Sequence, residues 1–334
     1  MSPKETKPPA IRDRSTPVRE IPQHAGSKPA AAAKASGAPG QPIQVPGRWL
    51  LSAVAGTLLA AALCAWGALC LLFWQGGWQL LYHPTSLVAR TPAAAGLPFD
   101  PIGFATTGTG LPRLIGWWIP AAAHAPFSRY TVLYLHGQNG NLGGTVDHLA
   151  QLHSAGVNLF AFDYRGYGQS QFTHPSERHW LEDAGWALQY LTATRHIAPG
   201  SIVLDGSDLG ANLALECAAA HPQVAGAQLA GVVLESPLPD ATRAIFMDER
   251  SRLVPARLLV HDRYDLRSAA AALRTPSLWF LPASQAAAGN HPPDNPEFLQ
   301  SVSAPKMVVW LPAGGDDDAF ADEFSRWLGE LRAP

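Results

Sequence analysis

With 334 residues and a formal net charge of −2, the chain carries no global basic field of the kind that nucleic-acid binding draws on. Of its three cysteines, Cys64 and Cys70 fall inside an apolar run and Cys217 stands alone further on, so no disulfide can be drawn within a folded domain and cysteine usage does not identify the compartment. The first fifth differs in composition from the rest, and roughly 250 residues remain, enough for one large core.

Residues 1–47 are rich in Pro, Ala, Ser and Lys, show no apolar period, and are expected to be a disordered tail, because they cannot bury enough surface to offset the entropy of ordering. From residue 49 to 74 no charge interrupts WLLSAVAGTLLAAALCAWGALCLLFW, which exceeds the roughly 20 residues that cross a hydrocarbon core. Residues 48–81 are therefore expected to be an uncleaved transmembrane anchor with its interfacial flank, the tail before it being too long for a signal-peptide n-region. Trp49, Trp74 and Trp78 are placed for an aromatic belt. Arg12, Arg14, Arg19, Lys28, Lys34 and Arg48 precede the span and the first positive residue after it is Arg90, which predicts a cytoplasmic N-terminus and an extracytoplasmic domain, periplasmic if the cell is Gram-negative.

Residues 82–334 read as one α/β domain. An early antiparallel strand pair ends at Leu114-Ile115-Gly116-Trp117-Trp118-Ile119. Short apolar runs then alternate with helix-length segments: strands around 132–135, 158–162, 202–204, 231–234, 278–281 and 307–310, with helices running to about 155, over 176–195 and over 208–220. Strands apolar throughout, separated by helices, predict a mostly parallel sheet covered on both faces. Phe320, Phe324, Trp327, Leu328 and Leu331 recur at helical spacing, so these aromatics belong to a core-facing helix and not to a cofactor site. The segment 237–274 between two late strands is expected to form a small helical cap.

Gly206-Ser207-Asp208-Leu209-Gly210 lies between a strand and a helix, the setting in which G-x-S-x-G makes a nucleophile elbow, with Asp208 at the serine position. Ser207 cannot take over, because moving the frame by one puts Asp205 and Leu209 where glycines belong. His136-Gly137-Gln138-Asn139-Gly140-Asn141 follows the third strand, Phe162-Asp163-Tyr164-Arg165-Gly166-Tyr167-Gly168-Gln169-Ser170 the fourth, and Leu234-Glu235-Ser236-Pro237 a later one. With these motifs the chain resembles the α/β-hydrolase superfamily, in particular its membrane-anchored, small-capped branch of esterase-like and peptidase-like proteins.

The resemblance implies an α/β-hydrolase fold and a Ser-acid-His triad whose three positions read Asp208, Gln285 and Asp316. Gln285 follows Leu278-Trp279-Phe280-Leu281, where the family places its acid, and Asp316 follows Gly314-Gly315, where the family places its histidine. The oxyanion-hole amides would be those of Gln138 and Leu209, which depend on backbone and survive the substitutions. A serine needs a neighbouring imidazole to take its proton, and an aspartate nucleophile still needs a histidine to activate water against the ester intermediate. Asp316 is a poor base at neutral pH, and two carboxyls meeting at Asp208 and Asp316 would raise the pKa of one.

The substituted triad therefore predicts a catalytically degenerate protein, a pseudoenzyme that binds a small ligand or protein partner through the old pocket. The alternative is an active hydrolase of esters or related bonds, with Asp208 as nucleophile or a metal on carboxylates such as Asp316, Asp317 and Asp318. A purely structural membrane protein is a third possibility. Acids at a helix start more often serve capping, so no metal and no cofactor are expected. His291 is the nearest replacement base by sequence and reads as a solvated loop residue. His136, Asp163 and Arg165 read as structural, and Cys217 as a small buried hydrophobe.

Overall fold

In the computed structural model, residues 46–221, 223–224, 226–283, 296–312 and 317–331 are described. Helix α1 is Gly47–Gly76, followed by strands β1 (His83–Pro84), β2 (Asp100–Phe104), β3 (Leu114–Ile119), β4 (Thr131–Leu135) and β5 (Asn139–Gly140). Next come α2 (Val146–Ser154), β6 (Asn158–Asp163), α3 (Glu177–Gln189), β7 (Ile202–Ser207), α4 (Leu209–Ala220) and β8 (Gly231–Glu235). The helices α5 (Arg243–Met247), α6 (Ala256–Leu259) and α7 (Leu266–Ala272) lie between β8 and β9, and β9 (Ser277–Pro282), α8 (Glu297–Gln300), β10 (Lys306–Leu311) and α9 (Asp317–Glu330) follow.

Eight strands form one sheet in the order β10-β9-β8-β7-β4-β6-β3-β2, parallel except where β3 meets β2 and β6. The alternation of side chains along each strand builds two cores. Leu133, Leu135, Leu204, Val232, Leu234, Trp279 and Leu281 face one side and pack against α3, α4 and α7. Val132, Tyr134, Val203, Val233, Leu278 and Phe280 face the other and pack against α2 and the Phe320, Phe324, Trp327 and Leu328 stripe of α9. The helix expected over 176–195 is α-helical only to Gln189, and Tyr190–Thr194 finishes it as a π turn.

Helix α1 is long and apolar enough to cross a membrane, with mean hydropathy 2.1 and no buried residue. Thirty residues of helix extend for about 45 Å, whereas a hydrocarbon core is about 30 Å thick. About ten residues are thus surplus to a perpendicular crossing, and the last part of the helix contacts the segment between α5 and α6. The Trp66 indole donates to the Leu253 carbonyl at 3.1 Å, and Leu69, Leu72 and Phe73 line an apolar cleft of about 250 Å³ with Leu80, Leu253 and Val254. Trp78 also contacts the folded domain. Its ring stacks on His174 at 5.0 Å between centroids and is half-buried against the core, because the turn Gly77–Leu80 directs the chain into the domain.

Candidate active site

The turn between β7 and α4 has the geometry of a nucleophile elbow. Asp208 sits at φ 51° and ψ −120°, a conformation costly for a residue with a Cβ, and its side chain is exposed at the C-terminal edge of the sheet. Glycines permit the turn. A Cβ on Gly206 would overlap the carbonyl of Gly210, and one on Gly210 would overlap the carbonyl of Leu135, so the strand, turn and helix meet backbone to backbone. The elbow is built as the motif predicts, with a carboxylate in the serine's place.

Gln138 and Leu209 are brought together, but not as two donors aimed at a common point. The Leu209 N–H donates to Oε1 of the Gln138 side chain at 3.3 Å, so the amide that would stabilise an oxyanion is already occupied by a side-chain carbonyl. The Gln138 backbone carbonyl accepts from the Tyr167 hydroxyl at 2.9 Å and from the His83 N–H at 3.0 Å, which holds the loop against β1. Gln285, His291 and Asp316 lie outside the described residues, as do the side chains of Asp317 and Asp318.

His136 is buried, its Nδ1 donates to the Gly137 carbonyl at 2.8 Å, and its ring lies against Tyr164. Burial pulls its pKa down to about 4, so the ring is neutral and supports the loop. Arg165 donates from Nε to Asp183 at 2.6 Å and reaches Glu182 at 2.9 Å, stacking on Trp186, and the Asp163 carboxylate accepts from the Leu142 N–H. The D-Y-R-G-Y-G-x-S segment is thus a structural brace. Cys217 is fully buried in α4.

A second polar group, missed in the sequence, lies just below the elbow on the α2 and α9 side of the sheet. Asp205 and Ser207 share the parity of Val203, Glu235 that of Val233, and all of them face the same way as Tyr134. Tyr134 and Ser207 share a 2.9 Å hydrogen bond between hydroxyls, and His148 from α2 brings Nε2 to 2.9 Å from Glu235 Oε1. Asp205 is fully buried, and its carboxyl is pushed well above the usual range by burial and by Glu235. Asp208 is also raised, first by burial and then, among the described residues, by Glu235. The sequence signal was a charged residue at inward parity within an otherwise apolar strand, Ile202-Val203-Leu204-Asp205.

The family model for serine aminopeptidase S33 matches residues 127–281. The protein YfhR of Salmonella typhimurium is 31% identical over 255 residues, covering 73% of this chain and 82% of that one. Human alpha/beta hydrolase domain-containing protein 17C is 35% identical over 127 residues, 38% of this chain and 36% of the relative. A solved esterase of Pyrococcus furiosus superposes with a TM-score of 0.53 at 19% identity, covering 75% of this chain and 96% of that chain. With this sheet order and elbow, the chain belongs to the α/β-hydrolase superfamily.

Proposed function

We propose that the chain is a catalytically degenerate α/β hydrolase, anchored by α1, that binds a small ligand or protein partner at the former active-site position around the elbow. The observation that carries this reading is the elbow itself, where Asp208 replaces the serine and Gln138 occupies the Leu209 amide. A reaction through this turn would need both a nucleophile deprotonated by a base and a free oxyanion donor. Asp208 as a nucleophile is the second reading, favoured by its exposure on a strained turn. Against it, the partial shielding of this carboxyl from water at the crowded turn, and the charge of Glu235, raise its pKa, which lowers the fraction of nucleophilic carboxylate at a given pH.

The deciding measurement is made on the full chain in detergent. A fluorophosphonate, which requires an activated serine, should leave it unlabelled, and short-chain esters should not be turned over above the rate of heat-denatured protein. Robust labelling would overturn degeneracy, while ester turnover abolished by Asp208→Ala would establish the aspartate nucleophile.

The excess of Lys and Arg before α1 supports a cytoplasmic N-terminus with the folded domain on the opposite side, the periplasm in a Gram-negative cell. A reporter fused after Pro334 that works only outside the cytoplasm should then be active, and activity of a cytoplasm-only reporter at the same junction would reverse the orientation.

A further inference from the structure

We propose that His148, Asp205 and Glu235 bind one first-row divalent cation, Zn²⁺ or Mn²⁺, in the polar cluster beneath the elbow. The site is contributed by a helix and two adjacent parallel strands, and it stands whether or not Asp208 has any catalytic role.

Each of the three residues offers a ligand atom, and those atoms lie within 4.8 Å of one another. Around an ion with ligands at about 2.1 Å, neighbouring ligands at right angles are about 3 Å apart and opposed ones about 4.2 Å. His148 Nε2 and Glu235 Oε1, at 2.9 Å, already have the spacing of neighbouring ligands, and a small contraction would bring the set onto one ion.

Asp205 is the second, independent reason. It is fully buried, its carboxylate oxygens have no well-directed hydrogen-bond donor among the described residues, and its near polar neighbours are the Gly206 N–H and the Glu235 carboxyl. A buried carboxylate with no donor is costly, and a second carboxylate beside it adds repulsion. A divalent cation bound to two carboxylates and a neutral imidazole brings the cluster to zero net charge and gives Asp205 a partner. A proton shared between Asp205 and Glu235 is the competing arrangement, and the Asp205→Asn variant below distinguishes it from a bound cation.

The donor set also selects the metal. One imidazole nitrogen with two carboxylates suits Zn²⁺ or Mn²⁺, whereas Ca²⁺ and Mg²⁺ favour all-oxygen shells. The side chains of His148 and Glu235 are 22% and 16% exposed, so an ion can enter and water can complete its coordination.

The test uses untagged full-length protein in detergent, stripped with a chelator and titrated with ZnCl₂ or MnCl₂ alone by calorimetry and thermal melting. One equivalent should bind and raise the melting temperature by at least about 3 °C at saturation. Asp205→Asn should weaken binding by at least about a hundredfold. Because a change at a fully buried position can disturb folding, His148→Ala on the helix is the second variant, with circular dichroism as the fold check and a loss of at least about tenfold expected. Absence of binding tighter than about millimolar, or wild-type affinity in the folded His148→Ala protein, would overturn the proposal. So would an Asp205→Asn protein that melts higher than wild type and still binds metal as well, because the cluster would then hold a proton.

Discussion

Gly210→Ala should destabilise the domain by at least about 3 kcal/mol, and in cells the full chain should accumulate largely as insoluble or degraded protein. The new Cβ would overlap the Leu135 carbonyl and crowd that of His136, and neither can move without shifting β4 or the loop after it. Gly206→Ala should behave alike, because its Cβ would overlap the Gly210 carbonyl on the other side of the same turn. Backbone atoms cannot rotate away as a flexible side chain would, so relief requires separating α4 from the sheet. Gly144, with no atom near its hypothetical Cβ, supplies the control, and Gly144→Ala should melt with the wild type. Denaturant melts in detergent check the comparison. A Gly210→Ala protein that melts within about 1 °C of wild type would show that the elbow is more loosely packed than the geometry indicates.

The same two glycines show what could be read from the sequence and what could not. Gly206 and Gly210 flank Asp208 at the spacing of the elbow, and the run Ile202-Val203-Leu204 announces the buried strand that feeds it, so the turn was legible from local pattern. The parallel sheet and its two covers were legible for the same reason, because apolar strands and the Phe320 to Leu331 stripe carry their burial in their periodicity. The contact of Trp78 with His174 was not legible, because composition alone does not reveal the turn at Gly77–Leu80 that carries the ring there.

The polar cluster was illegible for a different reason. His148, Asp205 and Glu235 are dozens of residues apart in the chain, and their meeting depends on β7 and β8 being neighbours with Ser207 paired to Glu235. That register puts Asp205 and Glu235 on one face two positions apart, beneath α2, and pairwise strand order cannot be deduced from the periodicity of either strand. Gln138 was similarly half-legible. Its place beside Leu209 follows from the loop motif, but the rotamer that places Oε1 against the Leu209 N–H is a product of packing.

Rebuilding the triad should convert the protein into a measurable esterase, and only as a unit. Asp208→Ser restores the nucleophile, Asp316→His the base and Gln285→Asp the orienting acid, and each alone should stay within about threefold of the wild-type background, because a hydroxyl without a base or a base without a nucleophile does little. The triple variant should raise hydrolysis of a short p-nitrophenyl ester by on the order of 10²-fold, far below a native triad's contribution, since a pocket released from selection need not position an acyl group well. The φ of 51° at position 208 suits a serine as well as an aspartate, so the backbone needs no change there. The occupied Leu209 amide adds a specific obstacle. While Gln138 Oε1 accepts that N–H, a tetrahedral oxyanion must displace it, so Gln138→Ala in the triple background should give a further rise of about tenfold, appearing in kcat more than in KM because the donor acts on the transition state. In the wild-type background Gln138→Ala should yield no activity. If Asp208→Ser alone reached the rate of the triple variant, a base other than residue 316 would already serve the elbow, and the reading of a site without its histidine would fail.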